Sequence, residues 1–273
     1  MFQVKRPQST LSLALNMLEL TFHASARKVR ESHRNAVLAI ALSVVQSMLF
    51  IAFFYVMFTV LGTRGAALRG DFMLYLLTGI FAYLTHIKGV QAIMSAESST
   101  SPLMQHAPMN TLVAILSSAL SCLYTQMISL LVLLLVLHTV FTPLTFYYWP
   151  GALLMFLLAW ATGCAVGLLL MALQPWMPDV VTIIQLVYIR ANMIASGKMF
   201  VANMMPSAMI GFFDWNPLFH IIDQARGFTF VNYFPHRSNW EYPLYALLVM
   251  LVIGFMGEAY TRKHASTSWG MGR

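Results

Sequence analysis

The stretch Asp214-Trp215-Asn216-Pro217-Leu218-Phe219-His220-Ile221-Ile222-Asp223-Gln224-Ala225-Arg226-Gly227 decides how the chain is read, because it lies between two hydrophobic segments without being one itself. The wider region from Ser196 to Tyr242 mixes aromatics with Asp, His and Arg and is interrupted by Pro206, Pro217 and Pro235. Proline removes a backbone donor and clashes with the preceding turn, so no continuous helix crosses this region. Backbone that leaves a helix at membrane depth is stable only where it is buried in protein or lines water. Two readings follow: short re-entrant helices, or an ordinary external loop whose aromatics rest among the lipid headgroups.

Working outward, the remainder is strongly apolar. Of 273 residues, 59% are hydrophobic and 9% charged, with a mean hydropathy of +0.71, whereas a soluble domain carries about a quarter charged residues. The fold class expected is an all-α polytopic membrane protein. The formal net charge of +7 does not point to nucleic acid, because the basic residues gather at the ends of apolar runs, where retention on the cytoplasmic side accounts for them. Cys122 and Cys164 stand in apolar runs without C-x-x-C spacing and read as small buried hydrophobes. The polar Gln3 to Gln8 does not resemble a signal peptide.

From Leu11 to Arg30, Ser12, Asn16, Glu19, His23, Arg27 and Arg30 recur at helical spacing opposite Leu11, Ala14, Leu15, Leu18 and Phe22. This pattern predicts an amphipathic helix lying in the membrane interface. Six spans are then expected, at Ala36 to Leu61, Phe72 to Met94, Leu112 to Phe141, Gly151 to Leu173, Val180 to Val201 and Leu244 to Tyr260. Residues 1–35 form the cytoplasmic segment, 36–260 one membrane domain with an external re-entrant region at 202–243, and 261–273 a cytoplasmic tail. Six Lys or Arg in the first 34 residues, with Arg262, Lys263 and Arg273 at the other end, place both termini in the cytoplasm, weakly opposed by Arg64 and Arg69. The polar, proline-punctuated Glu97 to Pro108 reads as an internal docking surface or a plain connector.

No G-x-x-x-x-G-K-[ST] phosphate loop, H-E-x-x-H or G-x-S-x-G occurs, and Gly197-Lys198 is followed by Met199. Catalysis by this chain alone is not expected, nor is a metal site. The informative charges are Lys88, near the internal end of its span and able to snorkel, and Arg190 and Lys198 in the fifth span. Arg190 lies about 16 Å from Asp179, near the midplane, where a charge costs about 2.5–3.5 kcal/mol. Lys198, eight residues on, falls on a similar helical face. Two cations on one wall suit an anionic substrate; a structural ion pair is the alternative. Asp223 and Arg226 are one helical turn apart and are expected to pair locally.

These residues resemble the ABC-2 type permeases, most closely those that export capsular polysaccharide. The likeness covers nearly the whole chain and is most specific in Ser196-Gly197-Lys198-Met199-Phe200, Met205-Pro206 and Trp215-Asn216-Pro217-Leu218-Phe219-His220-Ile221-Ile222-Asp223 with Arg226, similar to the family's S-G-x-x-F, L-P and N-P-L-x-H-x-I-[ED]-x-x-R. Asp179 resembles the acidic residue of the family's R-D element, although Met177-Pro178 precede it, and Lys198 stands at a usually apolar position. The resemblance implies a homodimer forming a translocation pathway and two separate cytoplasmic ATPase subunits that bind the ATP and Mg. This chain then needs no cofactor, and its substrate is a lipid-linked polysaccharide crossing a bacterial inner membrane. Glu19, His23, Arg27, Arg30, Glu31 and Asp179 become the ATPase-docking residues, and Arg190, Lys198, Trp215, Phe219, Asp223 and Arg226 the substrate pathway. Periplasmic export proteins are further partners the resemblance leaves room for. An exporter of a lipid or small hydrophobic molecule, and a non-transporting scaffold for glycan assembly, remain the alternatives.

Overall fold

The computed structural model describes residues 10–31, 36–62, 71–96, 111–141 and 144–264, with the side chains of 10–14, 30, 31 and 36 left undescribed. The Arg30 and Glu31 side chains, Arg34, Arg64, Arg69, Arg273 and the polar 97–108 segment therefore lie outside the described residues.

Nine α-helices are described: α1 Thr10–Glu31, α2 Ala36–Val60, α3 Phe72–Met94, α4 Thr111–Val140, α5 Trp149–Leu173, α6 Pro178–Ala195, the short α7 Ser207–Ile210, α8 Pro217–Thr229 and α9 Glu241–His264. No strand forms among the described residues. Helices α2, α3, α4, α5 and α9 are each long and apolar enough to cross a membrane. The chain is thus a polytopic helical membrane protein by length and composition. The expected fifth span, Val180 to Val201, is shorter than its apolar run: α6 has 18 residues and stops at Ala195.

Helix α3 is the centre of the bundle. Of its most apolar window 83% is buried, against 28% for α2, 22% for α4 and 17% for α9. It packs against α5, α4, α8 and α2. Its first turn is capped by Asp71, whose Oδ1 accepts from the Met73 N–H at 2.8 Å, as helix N-termini require. The contact with α5 is close because glycines form it: a Cβ on Gly163 would stand 2.2 Å from the His86 carbonyl oxygen, and one on Gly167 would stand 2.7 Å from that of Val90. Gly163-Cys164-Ala165-Val166-Gly167 is a G-x-x-x-G row, the spacing that lets two helix backbones approach where lipid supplies no hydrophobic drive for association.

Polar ties add direction to this packing. His86 Nδ1 meets the Ala159 carbonyl at 3.2 Å and Thr162 Oγ1 at 3.1 Å, while Nε2 meets the Tyr188 hydroxyl at 2.8 Å, joining α3, α5 and α6. Lys88 does not snorkel outward as expected; its Nζ donates to Ser43 Oγ at 2.7 Å, and Ser129 approaches the same oxygen at 3.3 Å. The half-buried lysine thereby ties α3 to α2, and Ser129 joins α4 to the same serine. Helix α9 lies on α5, where Thr261 Oγ1 donates to the Ala172 carbonyl at 2.9 Å and accepts from Trp176 Nε1 at 2.9 Å.

Helix α1 rests on α4 and α2 through Thr21, Ser25 and Val29, spaced i, i+4, i+8 and all buried. The two hydroxyls donate to their own helix at the Met17 and Phe22 carbonyls, both at 2.7 Å, so the row packs without leaving a polar atom bare. Lys28 Nζ also donates to Ser118 Oγ. Glu19, His23 and Arg27 are exposed on the other side of the helix.

Helix α6 touches the bundle along one seam. Val181 and Asn192 are its buried residues, and Tyr188 and Ile189 lie beside them: Tyr188 bonds His86, and Ile189 offers its carbonyl to the Tyr83 hydroxyl at 3.2 Å. Ile183, Leu186, Val187 and Ile194 are all exposed.

Replacing Gly163 with alanine is expected to force the α3 and α5 backbones apart and cost about 1–3 kcal/mol, as overpacking does; leucine there is expected to prevent a monodisperse protein. Thermal unfolding in mild detergent followed by size exclusion checks both, with Gly211→Ala, where an added Cβ meets nothing within 4 Å, as the neutral comparison.

Candidate functional site

The two motif segments, Ser196 to Phe200 and Asn216 to Arg226, are brought together at the end of α6. Gly197 has φ +72°, and a Cβ there would stand 2.6 Å from the Phe219 ring. Both the left-handed turn that stops α6 and the seating of Phe219 against it need glycine. Asn216 then starts α8: its Oδ1 accepts from the Leu218 N–H at 3.0 Å, and Pro217 occupies the first helical position. Its Nδ2 reaches back to Asn192 Oδ1 at 2.9 Å and the Ala195 carbonyl at 3.0 Å. One side chain therefore caps the start of α8 and satisfies a carbonyl at the end of α6.

Arg226 closes the connection from the other side. Its Nη1 donates to the Gly197 and Phe200 carbonyls at 3.1 and 2.6 Å, and its Nη2 to the Lys198 carbonyl at 2.6 Å. The guanidinium carbon sits 4.2 Å above the Tyr75 ring centroid, and Gly79 of α3 supplies the clearance, since a Cβ there would lie 2.7 Å from Nη2. Arg226 is 1% exposed. Its charge is balanced by carbonyl dipoles at a helix C-terminus and by an aromatic face.

Lys198 faces the opposite way, into the bundle. Its Nζ lies 3.6 Å from the Tyr83 ring centroid, 5.0 Å from that of Phe50 and 5.1 Å from that of Phe54, and it makes no hydrogen bond among the described residues. It is held by three aromatic rings on α2 and α3.

The far half of α8 organises the chain that follows it. Asp223 accepts from Ser238 Oγ at 2.7 Å and from the Tyr233 hydroxyl. Gln224 Nε2 donates to the Ser238 carbonyl at 2.8 Å. His220 Nδ1 accepts from the Asn239 N–H at 3.2 Å, so Nε2 carries the proton donated to the Asp214 carbonyl at 2.8 Å. Burial, and then the adjacent Asp223 carboxylate, hold the Tyr233 phenol well above the usual tyrosine range.

The expected site residues therefore separate. Asp223 and Arg226 do not pair with each other: each carboxylate oxygen accepts from one hydroxyl, and the two terminal nitrogens of the guanidinium donate to three carbonyls, with Nε unpartnered among the described residues. Lys198 does not continue the wall that carries Arg190, because Gly197 ends that helix and turns Lys198 inward. Phe219 is 1% exposed and belongs to the packed core, whereas Trp215 is 62% exposed and donates its Nε1 to the Phe212 carbonyl at 2.7 Å. Arg190 is exposed on the side of α6 facing away from its seam, and Asp179 is exposed in the first turn of the same helix. Glu19 and His23 approach to 3.8 Å across one turn.

Sequence reasoning missed three features. The Lys198 aromatic cage has no local pattern, since Phe50 and Phe54 are one turn apart but Tyr83 is on another helix. Glu258, 5% exposed in α9 with Oε1 unpartnered among the described residues, could have been found as a carboxylate within an apolar run. The Thr21-Ser25-Val29 row was legible as a small-residue stripe. Among the described residues no group of three or more His, Cys, Asp or Glu could hold a metal ion. Compared with known proteins, the chain matches no family model and no curated protein.

Arg226→Gln is expected to leave buried carbonyls short of donors and to cost about 3 kcal/mol or more, each unpaired acceptor being worth about 1–3 kcal/mol; Arg226→Lys restores part of it. A thermal-shift series on the purified chain reads the order of stability, wild type above Lys above Gln. For Tyr233, a folded-state pKa above the unfolded one means the contribution is complete below about pH 10 and declines as pH rises, because the unfolded chain releases a proton that the folded chain keeps. Tyr233→Phe is accordingly expected to be less stable at pH 7 but to lose less stability between neutral and strongly alkaline pH, measured as unfolding midpoints across that range.

Proposed function

We propose that the chain is the membrane-spanning subunit of an ATP-driven exporter, working as a homodimer with two cytoplasmic ATPase subunits and moving a lipid-linked, capsular-type polysaccharide across a bacterial inner membrane. The observation that carries this reading is the meeting of the two segments on which the resemblance rests. Ser196 to Phe200 and Asn216 to Arg226 are separated only by residues 201–215, and Gly197, Asn216, Phe219 and Arg226 meet at one junction. The contacts give the two segments one shared structural role, which supports reading them together.

Two surfaces support the assembly. The exposed Glu19-His23-Arg27 arc lies on the side of α1 away from its buried row, where an ATPase subunit could reach it while the other side stays on the bundle. Helix α6 offers an apolar face with Arg190 among Ile183, Leu186 and Val187. A charge costing about 2.5–3.5 kcal/mol toward lipid is accounted for if this face meets a second copy and an aqueous path that carries phosphate or carboxylate groups. On this reading six helices cross the membrane, α6 among them, and α7 and α8 form the external re-entrant element. The caging of Lys198 removes one of the two cations expected along the path, which favours, as the second reading, an exporter of a lipid or small hydrophobic molecule on the same architecture.

Deletion of the gene is expected to abolish surface polysaccharide and accumulate lipid-linked glycan inside the cell; unchanged surface glycan with an altered lipid profile would move the assignment to the second reading. In the complemented strain, reversing charge at Glu19 and Arg27 together is expected to reduce co-purification of the ATPase without altering the thermal stability of this chain. Arg190→Lys is expected to retain partial export and Arg190→Ala to lose most of it with the assembly intact. Normal export by Arg190→Met would make the residue structural.

A further inference from the structure

An apolar cavity of about 300 Å³ lies between α3, α4 and α5, covered at its inner side by α8. Its floor is the stacked pair Phe81 and Phe156, with ring centroids 6.0 Å apart. The two hydroxyls in its wall have no proton left for a polar ligand, since Thr78 donates to the Tyr75 carbonyl at 2.9 Å and Thr229 to the Ala225 carbonyl at 2.7 Å. A space of this kind is not filled by water, which needs two to four polar partners. At its rim stand Leu131 and Trp149, 62% and 66% exposed, so the cavity opens sideways from the bundle.

The lining fixes the depth and shape of what fits. It runs from Leu74 to Ala82 on α3 and from Trp149 to Phe156 on α5, about 10–12 Å along the helix axes. Starting beside the first turns of both spans, it stays within one half of a hydrocarbon layer about 30 Å thick. Its volume divided by that length leaves a cross-section of about 25–30 Å², the width of a single hydrocarbon chain. Trp149 at the rim belongs to the residue type that settles at headgroup level, which orients the occupant with its polar end at the α5 N-terminus and its tail toward Phe81 and Phe156.

We infer that this cavity is a binding site for one acyl chain of a bilayer phospholipid from the leaflet on the α8 side. Occupation completes the packing between α3 and α5 and supports α8 from below. The inference is independent of the export reading, because it uses only the lateral opening, the dry lining and the dimensions.

The test uses the full chain in vesicles of phosphatidylethanolamine and phosphatidylglycerol doped with a phosphatidylcholine carrying a diazirine midway along one acyl chain. After photolysis, peptide mass spectrometry is expected to find adducts concentrated on the cavity segments of α3, α4 and α5 relative to the exposed Leu248 and Val252 of α9. Ala152→Phe, which fills the site from α5, is expected to lower the cavity adducts about tenfold, as the loss of burial for a few methylenes would, and to leave the α9 adducts unchanged. Ala82→Leu fills it from α3 and repeats the measurement should the first variant not yield folded protein. Labelling spread evenly over cavity and α9, or cavity labelling unaffected in a folded, filled variant, overturns the inference. So does efficient disulfide-linked dimer formation by Leu131→Cys in membranes, since a second copy would then cover the opening.

Discussion

The structure around α8 depends on one buried guanidinium. Arg226 receives no carboxylate; it is compensated by three carbonyls of the turn that ends α6 and by the face of Tyr75. A charge-assisted hydrogen bond contributes about 1.5–3 kcal/mol, and desolvated cation–π contact about 2 kcal/mol, so the guanidinium is stabilised only while all of these acceptors stay in place. Arg226 consequently makes the turn, α3 and α8 one unit. Gly79, Gly197 and Asn216 are the sequence requirements of that unit: clearance, handedness and a bridging amide.

The second constraint is the solvent. Among lipid-facing helices there is little hydrophobic drive for one helix to prefer another, so contact follows backbone proximity and polar ties. The chain meets this with Gly163 and Gly167 between α3 and α5 and with His86, Lys88 and Trp176 reaching across to neighbouring helices. Serine and threonine are placed within these apolar helices at small cost because so many, such as Ser47, Thr125 and Thr139, donate to a carbonyl one turn back.

What was legible in the sequence was whatever depends on runs and spacing. The places of α2, α3, α4, α5 and α9 follow from apolar length, although α9 runs from Glu241 to His264 rather than Leu244 to Tyr260, and the start of α8 follows from Asn216-Pro217. What was not legible is partner choice. Arg226 looked destined for Asp223, its nearest opposite charge in sequence, but backbone carbonyls are invisible to a side-chain pattern, and Tyr233 and Ser238 reach Asp223 from a later loop. The misplacement of Lys198 had a readable cause: Gly197 after Ser196 is a helix-stop signal, outweighed in the reading by the apolar residues on either side. Phe219 was placed in the substrate pathway because an aromatic has the same letter in a core and at an interface; the close approach of Gly197 sets it in the core.

Helix α6 is fastened along a single line. Val181, Tyr188 and Asn192 recur at intervals of seven and four residues, and two of the three are fixed by hydrogen bonds crossing to other elements. Bonds running across such a line hold the height of the helix but give little resistance to rolling about it, as a hinged door is fixed vertically and free to swing. Arg190 is two residues before Asn192, about 180° around the helix from that line, the position that travels furthest for a given roll. A roll of α6 about this line is therefore the motion that carries the exposed Arg190 furthest.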